Sequence, residues 1–430
     1  MMRGRLNLFQ CAMLRWRELH PYCASHVITI DAQLDEARLR EVIAGVLEDC
    51  GLTGLHLDAR RRRFEFTGGA ARPALAVIDG RDAPLDAVAR EIEATINLAF
   101  PPAGRFDPFR FFCVKAGERF MLGLTYDHFI AGGDSIVVLV TDIADRYVAA
   151  SAADVPLPTL ERHPPGYARL FRRNLPSLVR GLAQLPRLMA GWRSAIRPHL
   201  QRPEDGSNGF AHFAISSSQA NAMRATARRW SVTGNDLMLA LVLRAMIPIA
   251  ERRSHAGRRH LIALASIVNV RGDYEQPAGV TFGQFLSSFR VAQPFAEEWP
   301  LEELARSMGR QTSVAKQRKL YLVTLLAMGA AALLWRFAGV SRRQRLYLKY
   351  HPVFAGLTPL NVDALRRRGR SRDGDYLRAA STGPMAPMVV AVTSAGAGQQ
   401  VGITYRITAL SREQVDAVIA SIRRDLTTLE

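Results

Sequence analysis

The sequence predicts a mixed α/β protein of the α+β type that is divided into two domains. Its length of 430 residues exceeds what one hydrophobic core usually organises. Both halves of the chain interleave short runs of β-branched and aromatic residues with stretches of helical periodicity. Hydrophobic residues make up 48% of the chain and charged residues 22%, which excludes disordered and fibrous proteins.

We expect the first domain to cover residues 1–150. A helix is predicted over residues 34–50, because its apolar side chains lie near one face and its first turn is acidic. A second helix is predicted from Pro84 to about Leu98. Runs of β-branched and aromatic residues, one pair of them joined by a hairpin at Ala-Gly-Glu, predict strands within residues 60–69, 73–79 and 109–129.

Residues 151–208 are rich in proline and arginine and predict a linker. Apolar residues recur in it three and four positions apart, which predicts basic amphipathic helices that Pro176 and Pro186 interrupt. We expect the second domain to cover residues 209–430, again with strands and helices in mixed order. Its predicted strands lie within residues 209–216, 261–270, 285–293, 387–396 and 399–408, and its predicted helices within residues 216–230, 235–249 and 411–429.

The formal charge of +18 is concentrated in two windows that contain no acidic residue. Residues 162–203 contain nine arginines, and residues 304–362 contain ten lysines or arginines. Each window combines its positive charge with an apolar stripe, which suits contact with anionic lipid or with an acidic carrier protein. Nucleic-acid binding is excluded as the main reading, because interleaved aromatic residues and the known binding modules are absent from the sequence.

Neither a metal site nor a membrane span is predicted. The most apolar run, Leu320–Trp335, would reach roughly 24 Å as a helix, short of the ~30 Å hydrocarbon core. We expect this run to form a buried or interfacial helix. The N-terminus has no signal-peptide core, which predicts a cytoplasmic protein with free thiols. The four cysteines lack the spacing of zinc ligands: Cys11, Cys23, Cys50 and Cys113.

The most informative segment for function is MLGLTYDHFIAGGDS, residues 121–135. Strand alternation predicts an apolar face that ends at His128, beside a Gly-Gly turn. An imidazole with its unperturbed pKa of about 6.5 can accept a proton at cytosolic pH, as a general base does. The alternative is a core histidine bonded to a carbonyl group, which the residues alone leave open. A helix is predicted directly afterwards, over residues 136–150, with Asp134 or Ser135 as its N-cap.

The segment YDHFIAGGDS resembles the HHxxxDG signature of the thioester-dependent acyltransferase superfamily. That superfamily includes chloramphenicol acetyltransferase, nonribosomal-peptide condensation domains, BAHD enzymes and wax-ester synthases. Further segments resemble it in the same order, namely SIVVLVTDIADRY, SVTGNDLMLALVLRAM, SIVNVR, TFGQFLSSFRV and VGITYRITALSREQV. The resemblance covers nearly the whole chain from about Asp31, except residues 151–208.

The resemblance implies two sandwich domains of the chloramphenicol-acetyltransferase type, arranged as a V with an active-site tunnel between them. An acyl thioester on a phosphopantetheine arm would enter the tunnel from one face and the acceptor from the other. His128 matches the second histidine of the motif and would remove a proton from the acceptor. No permanently bound cofactor is implied, because the thioester of CoA or of a carrier protein is itself a substrate.

The motif of this chain departs from the family pattern at two positions. Asp127 replaces the first histidine. Gly132, which precedes Gly133, replaces an aspartate that in the family pairs with an arginine of the second domain. Arg271 is the candidate for that arginine, and Asp134 is the candidate for a substitute partner. Three polar residues are candidates for the tunnel lining, with ordinary strand polarity as the alternative: Asn269, Gln284 and Ser287.

The sequence therefore predicts an acyltransferase that moves a group other than an aminoacyl group from a CoA or carrier-protein thioester to a hydroxyl or amine. Its expected partners are acyl-CoA or an acyl carrier protein, a small-molecule or lipid acceptor, and the anionic inner face of the membrane. We expect a monomer. The alternative is a catalytically inactive relative that binds a carrier protein or lipid, which the substitutions at positions 127 and 132 support.

Overall fold

The computed structural model describes residues 2–80, 83–149, 167–251, 259–273, 282–296, 298–366 and 376–430. The strands are β1 (Met2–Arg5), β2 (Cys23–Ile30), β3 (Leu55–Asp58), β4 (Arg63–Phe66), β5 (Leu75–Asp79), β6 (Gly104–Phe106), β7 (Phe109–Ala116), β8 (Arg119–Asp127), β9 (Asn208–Ile215), β10 (Leu261–Asn269), β11 (Leu286–Pro294), β12 (Ala355–Asn361), β13 (Tyr376–Ala380), β14 (Met388–Ala395) and β15 (Gly398–Arg406). The helices are α1 (Leu8–Trp16), α2 (Glu36–Asp49), α3 (Pro84–Ile96), α4 (Gly133–Val148), α5 (Ala168–Arg173), α6 (Leu175–Leu182), α7 (Leu185–Arg193), α8 (Ser217–Arg229), α9 (Gly234–Glu251), α10 (Leu301–Gln317), α11 (Leu320–Arg336), α12 (Val340–Tyr350) and α13 (Arg412–Thr427).

Among the described residues these strands form two large sheets and one small sheet. The first sheet has the strand order β13-β2-β8-β7-β5, and the second has the order β11-β10-β12-β14-β15-β9. A four-stranded sheet of β1, β4, β3 and β6 completes the set. Helices α3 and α4 pack on the first sheet, and helices α8, α9 and α10 pack on the second. The predicted mixed α/β class is confirmed, with a large sheet and its helices in each half.

The ends of several helices follow directly from the residues that flank them. Asp35 caps α2, because its side chain accepts a hydrogen bond from the backbone N–H of Arg38. Ser216 and Gln219 form a capping box at the start of α8. The predicted N-cap of α4 is wrong. Gly132 occupies that position in an extended conformation, which moves Asp134 and Ser135 into the first helical turn, where their side chains bond residues of the second half instead.

One strand of the first sheet comes from the sequence range that we assign to the second domain. Strand β13 pairs antiparallel with β2, with Arg378 opposite His26. It also runs close to the second sheet, since a Cβ atom at Gly402 of β15 would lie 2.0 Å from the Arg378 carbonyl oxygen. The first sheet therefore includes one strand from the second half of the chain. The domain boundary predicted at residue 150 lies outside the described residues.

The two basic windows of the sequence lie against each other. Pro176 and Pro186 each stand in the first turn of a helix, α6 and α7, and so separate the helices as the sequence predicts. Helix α6 packs on α11, where a Cβ atom at Gly181 would lie 2.5 Å from the Val323 side chain. Helix α11 is the predicted apolar helix, and it packs on α1 and strand β11.

Among the described residues, no single helix has both the length and the apolar character needed to cross a membrane. Taken together, α8 and residues Gly234–Ala250 of α9 have the length and apolar composition of a membrane span, although a bend of 103° separates the two helices.

Candidate active site

His128 stands at the point where the first sheet meets the start of α4. It directly follows strand β8, which is buried along nearly its whole length. Its backbone N–H donates to the Tyr22 carbonyl oxygen at 3.1 Å. The Tyr22 and Tyr126 rings lie 5.4 Å and 5.7 Å from the imidazole, centroid to centroid. Because Tyr126 and His128 share a face, as strand alternation predicts, the imidazole is enclosed by aromatic walls.

The environment of His128 keeps its imidazole neutral. Only 8% of the residue is exposed, and burial lowers the pKa of His128 to about 4. A hydrogen bond to the Ala131 carbonyl raises the pKa of His128, while the positive charge of Arg378 lowers it. The ring can therefore accept a proton at neutral pH.

Gln284 anchors the loop that carries His128. Its Nε2 donates to the carbonyl oxygens of His128 at 2.5 Å and Ala131 at 2.8 Å, and it lies 3.4 Å from His128 Nδ1. The backbone N–H of Gly132 donates to the Gly283 carbonyl oxygen at 2.9 Å. A Cβ atom at Gly132 would lie 3.4 Å from Gln284 Oε1. The amide of Gln284 thus stands beside the position where the family motif has its aspartate.

Asp134 and Arg271 form an ion pair across the two halves. Arg271 Nε lies 3.5 Å from Asp134 Oδ2, and Arg271 Nη2 donates to Ser135 Oγ at 2.8 Å. Asn269 Nδ2 also donates to Asp134 Oδ2. Ser135 Oγ in turn accepts a hydrogen bond from the Gly283 N–H at 3.2 Å. The first turn of α4 is therefore tied to the end of β10 and to the loop before β11.

Asp127 belongs to a separate ion pair. Its Oδ2 lies 2.9 Å from Arg17 Nη1, and both side chains are buried. Burial raises the pKa of Asp127 to about 7, and the charge of Arg17 opposes that rise. The Arg17 guanidinium also lies over the Phe129 ring, at 5.3 Å from its centroid. This pair supports the loop from the side of α1.

A cavity of about 120 Å³ opens between the two large sheets at His128. Four of the predicted site residues line it: His128, Gly133, Asp134 and Asn269. Gln284 and Ser287, which we predict as lining residues, do not line it. Gln284 is turned under the His128 loop, and Ser287 Oγ donates to the Tyr321 carbonyl oxygen at 2.6 Å. Arg271, Asp127 and Gly132 lie around the cavity without lining it.

The sequence does not identify three residues of the cavity wall as site residues. His26 lies on β2 and Arg378 on β13, neither of which we predict as a strand, and Tyr126 lies on the predicted apolar face that ends at His128. His26 Nδ1 lies 2.8 Å from the Tyr376 hydroxyl oxygen, and burial lowers the pKa of His26. The signal that could have found Arg378 is a lone arginine within the short apolar run YLRAA. Among the described residues, no group of three or more histidine, cysteine or acidic residues could hold a metal ion.

No family model matches the sequence, and no curated protein matches it. Solved structures match the fold along the whole chain. The first condensation domain of the calcium-dependent antibiotic synthetase, in complex with a substrate analogue, has a TM-score of 0.68 at 13% identity, covering 100% of this chain and 97% of that chain. The condensation domain from the Monacolin K polyketide synthase MokA has a TM-score of 0.64 at 14% identity, covering 100% and 97%.

A third match is the X-domain from teicoplanin biosynthesis in its complex with OxyB. It has a TM-score of 0.58 at 15% identity, covering 99% of this chain and 93% of that chain. At these identities the matches establish the fold, so the chain has the two-subdomain fold of condensation domains and their relatives.

Proposed function

We propose that this protein of condensation-domain fold is an acyltransferase that uses His128 as its general base. The donor is a thioester of CoA or of a carrier protein, and the acceptor is a hydroxyl or an amine. The observation that carries the proposal is the position of His128, a neutral, buried imidazole in the wall of a cavity between the two large sheets. No cofactor is required, because the thioester already activates the acyl group.

The reaction needs two proton transfers, and His128 can perform both. A hydrogen bond from one ring nitrogen to the Ala131 carbonyl leaves the other ring nitrogen unprotonated, and that nitrogen removes the proton from the acceptor as the acceptor attacks the thioester carbonyl carbon. The tetrahedral intermediate then expels the thiolate and breaks the carbon–sulfur bond. The imidazolium returns its proton to that sulfur, so the base is restored. Enclosing both substrates in one cavity makes the attack effectively intramolecular, which can contribute up to roughly 7–11 kcal/mol.

The altered motif is compatible with activity because other residues support the loop. In the family the carboxylate at the position of Gly132 fixes the loop through an arginine. Here Arg271 instead contacts Asp134 and Ser135, and Gln284 bonds two carbonyl groups of the loop. The imidazole is therefore held from both halves without a carboxylate at position 132.

The direct test is to follow free-thiol release from a panel of acyl-CoA and acyl-pantetheine thioesters with hydroxyl and amine acceptors. The wild-type protein is expected to release thiol in step with formation of an ester or amide, and His128→Ala to lose at least about 100-fold in rate. His56→Ala, at an exposed position of β3, is the matched control and is expected to keep the wild-type rate. Equal rates for His128→Ala and wild type would refute the assignment of the base.

A binding function is the second candidate. The replacement of both flanking motif residues, by Asp127 and Gly132, favours it. The fold also occurs in an X-domain that was solved in complex with OxyB, so the fold is compatible with a role in binding another protein. The thioester panel separates the two candidates, because a binding protein would retain acyl-pantetheine without releasing thiol.

We also propose that the two adjoining basic windows contact an anionic membrane. Helices α6 and α7 expose apolar side chains between their arginines, with Leu175 57% and Val179 58% exposed. Leu182 of α6 and Met189 of α7 are exposed as well. Apolar side chains among arginines are typical of helices that lie in a lipid headgroup region. This location would suit a lipid-like acceptor.

A further inference from the structure

The cavity that contains His128 has a second polar group, the guanidinium of Arg378. Arg378 lies on β13 and is only 6% exposed. Its Nε donates to Thr393 Oγ1 at 2.8 Å, and its Nη2 donates to the carbonyl oxygens of Thr358 at 2.7 Å and Val392 at 3.0 Å. These bonds fix the guanidinium plane against strands β12 and β14.

The remaining nitrogen of Arg378 faces the start of α4. Nη1 would lie 3.4 Å from a Cβ atom at Gly133, so the glycine leaves the space in front of it open. Among the described residues, Nη1 makes no hydrogen bond, and no carboxylate lies within 4.0 Å of the Arg378 guanidinium. The acidic residue of this wall, Asp134, is already engaged by Arg271 and Asn269.

A second donor in the same wall has no partner within the described part of the chain. The Tyr126 side chain is fully buried and lines the cavity, and its hydroxyl makes no hydrogen bond there. Burying a hydroxyl, or one nitrogen of a guanidinium, without an acceptor costs free energy. Burial lowers the pKa of Arg378 to about 10, which still leaves the side chain charged at neutral pH. Two donors without an acceptor among the described residues, one of them cationic, therefore share one cavity with the base.

We propose that Arg378 and Tyr126 bind a carboxylate group of the substrate in the His128 cavity. A planar guanidinium and a hydroxyl provide the donors that a carboxylate accepts, and the cation supplies the matching charge. The idea that the ligand is a substrate rests on the proposed acyltransferase function, whereas the binding of a carboxylate does not. The carboxylate can belong to a dicarboxylic acyl group or to an amino-acid-like acceptor.

The test compares the wild-type protein with matched ligands by calorimetry. Succinyl-pantetheine and butyryl-pantetheine differ in a carboxylate on the donor, and a panel of α-amino acids and their amides differs in a carboxylate on the acceptor. We expect the carboxylate member of one of the two series to bind about 10- to 100-fold more tightly, as for one charge-assisted hydrogen-bonded contact. Equal affinities within both series would overturn the proposal.

Three variants separate binding from structural support. Tyr126→Phe removes a buried hydroxyl without a partner, so we expect unchanged or higher thermal stability together with a carboxylate preference that is about 5- to 10-fold smaller. Arg378→Met should abolish the preference. Arg290→Met is its matched control, because Arg290 is also largely buried but contacts the Gly191 carbonyl away from the cavity. Loss of the preference in Arg290→Met, or its retention in Arg378→Met, would overturn the proposal.

The His128→Ala variant distinguishes the carboxylate-binding proposal from the acyltransferase proposal. It should keep the carboxylate preference in binding, since Arg378 and Tyr126 are intact. A protein that binds carboxylates selectively but never releases thiol would support this inference and refute the acyltransferase. Thiol release without any preference for a carboxylate would do the reverse.

Discussion

The ion pair between Asp134 and Arg271 provides a quantitative test of how the two halves are joined. The atoms lie 3.5 Å apart, and the side chains are 21% and 15% exposed. With an effective dielectric constant of about 20, the Coulomb attraction at that distance is roughly 5 kcal/mol before desolvation is subtracted. Because both groups lose most of their hydration, we expect a net coupling of about 1–2 kcal/mol, above the ~0–1 kcal/mol of exposed pairs.

The measurement is a double-mutant cycle with Asp134→Asn, Arg271→Gln and the double variant, each unfolded in urea. Asparagine keeps an oxygen that can accept from Asn269, so the cycle isolates the charge. The matched control is the exposed helical pair of Arg412 and Asp416, whose side chains are 56% and 54% exposed. Its coupling should not exceed about 0.5 kcal/mol. Additive effects of Asp134→Asn and Arg271→Gln within about 0.5 kcal/mol would refute the pairing.

Four further predictions concern the base, its support and the basic surface. Because the pKa of His128 is about 4 in the folded protein, the rate of acyl transfer should stay constant from about pH 8 to pH 6 and fall only as the pH approaches 4. A decline of the rate centred near pH 6.5 would contradict the effect of burial on this pKa. The lowered pKa of His128 also makes the free energy of unfolding depend on pH. The stability contribution is fully present above about pH 6.5 and should be lost as the pH falls from about 6.5 to 4, because the unfolded chain takes up the proton first. Urea unfolding of the wild-type protein and of His128→Gln measures this difference. Gln284→Leu removes the donor to two carbonyl groups of the His128 loop, so we expect a free energy of unfolding about 2–3 kcal/mol lower and slower thiol release. Full activity of this variant would exclude a role of Gln284 in positioning His128. In vesicle sedimentation the protein should bind anionic liposomes in preference to neutral ones, and the double variant Leu175→Glu, Val179→Glu should reduce that preference severalfold. Equal binding of the wild-type protein to anionic and neutral liposomes would refute the membrane proposal.

The parts of the fold that the sequence predicts are those with local signals. In the segment that ends at His128, the apolar residues Leu122, Leu124 and Tyr126 share one face, and α2, α8 and α13 begin at side chains that cap them. The location of His128 at the end of a buried strand, before a Gly-Gly turn and a helix, also follows from local pattern. Residues whose local conformational preference is strong are therefore enough to predict the position of the motif and the strands and helices around it.

The parts that the sequence does not predict depend on contacts between distant segments. Strand β13 pairs with β2, about 350 residues earlier, and nothing in its five residues specifies a partner so far away. Arg378 enters the cavity only through that pairing. Gln284, two residues before β11, illustrates a related problem, because the residues around it do not determine whether its amide faces the cavity or the His128 loop. Here it bonds the His128 loop.

The energetic cost of the cavity wall argues that the site is in use despite its altered motif. Two arginines of the second half reach the start of α4, and Asp134 forms its ion pair with Arg271. Arg378 therefore keeps its charge close enough to His128 to help hold the imidazole neutral. Within the described part of the chain, the Arg378 guanidinium has no carboxylate within 4.0 Å and the Tyr126 hydroxyl has no hydrogen-bond partner. Burying such groups costs free energy, and a protein selected for stability alone would replace them with apolar side chains. Their presence together in one cavity is what a site that binds an anionic substrate beside a neutral base requires.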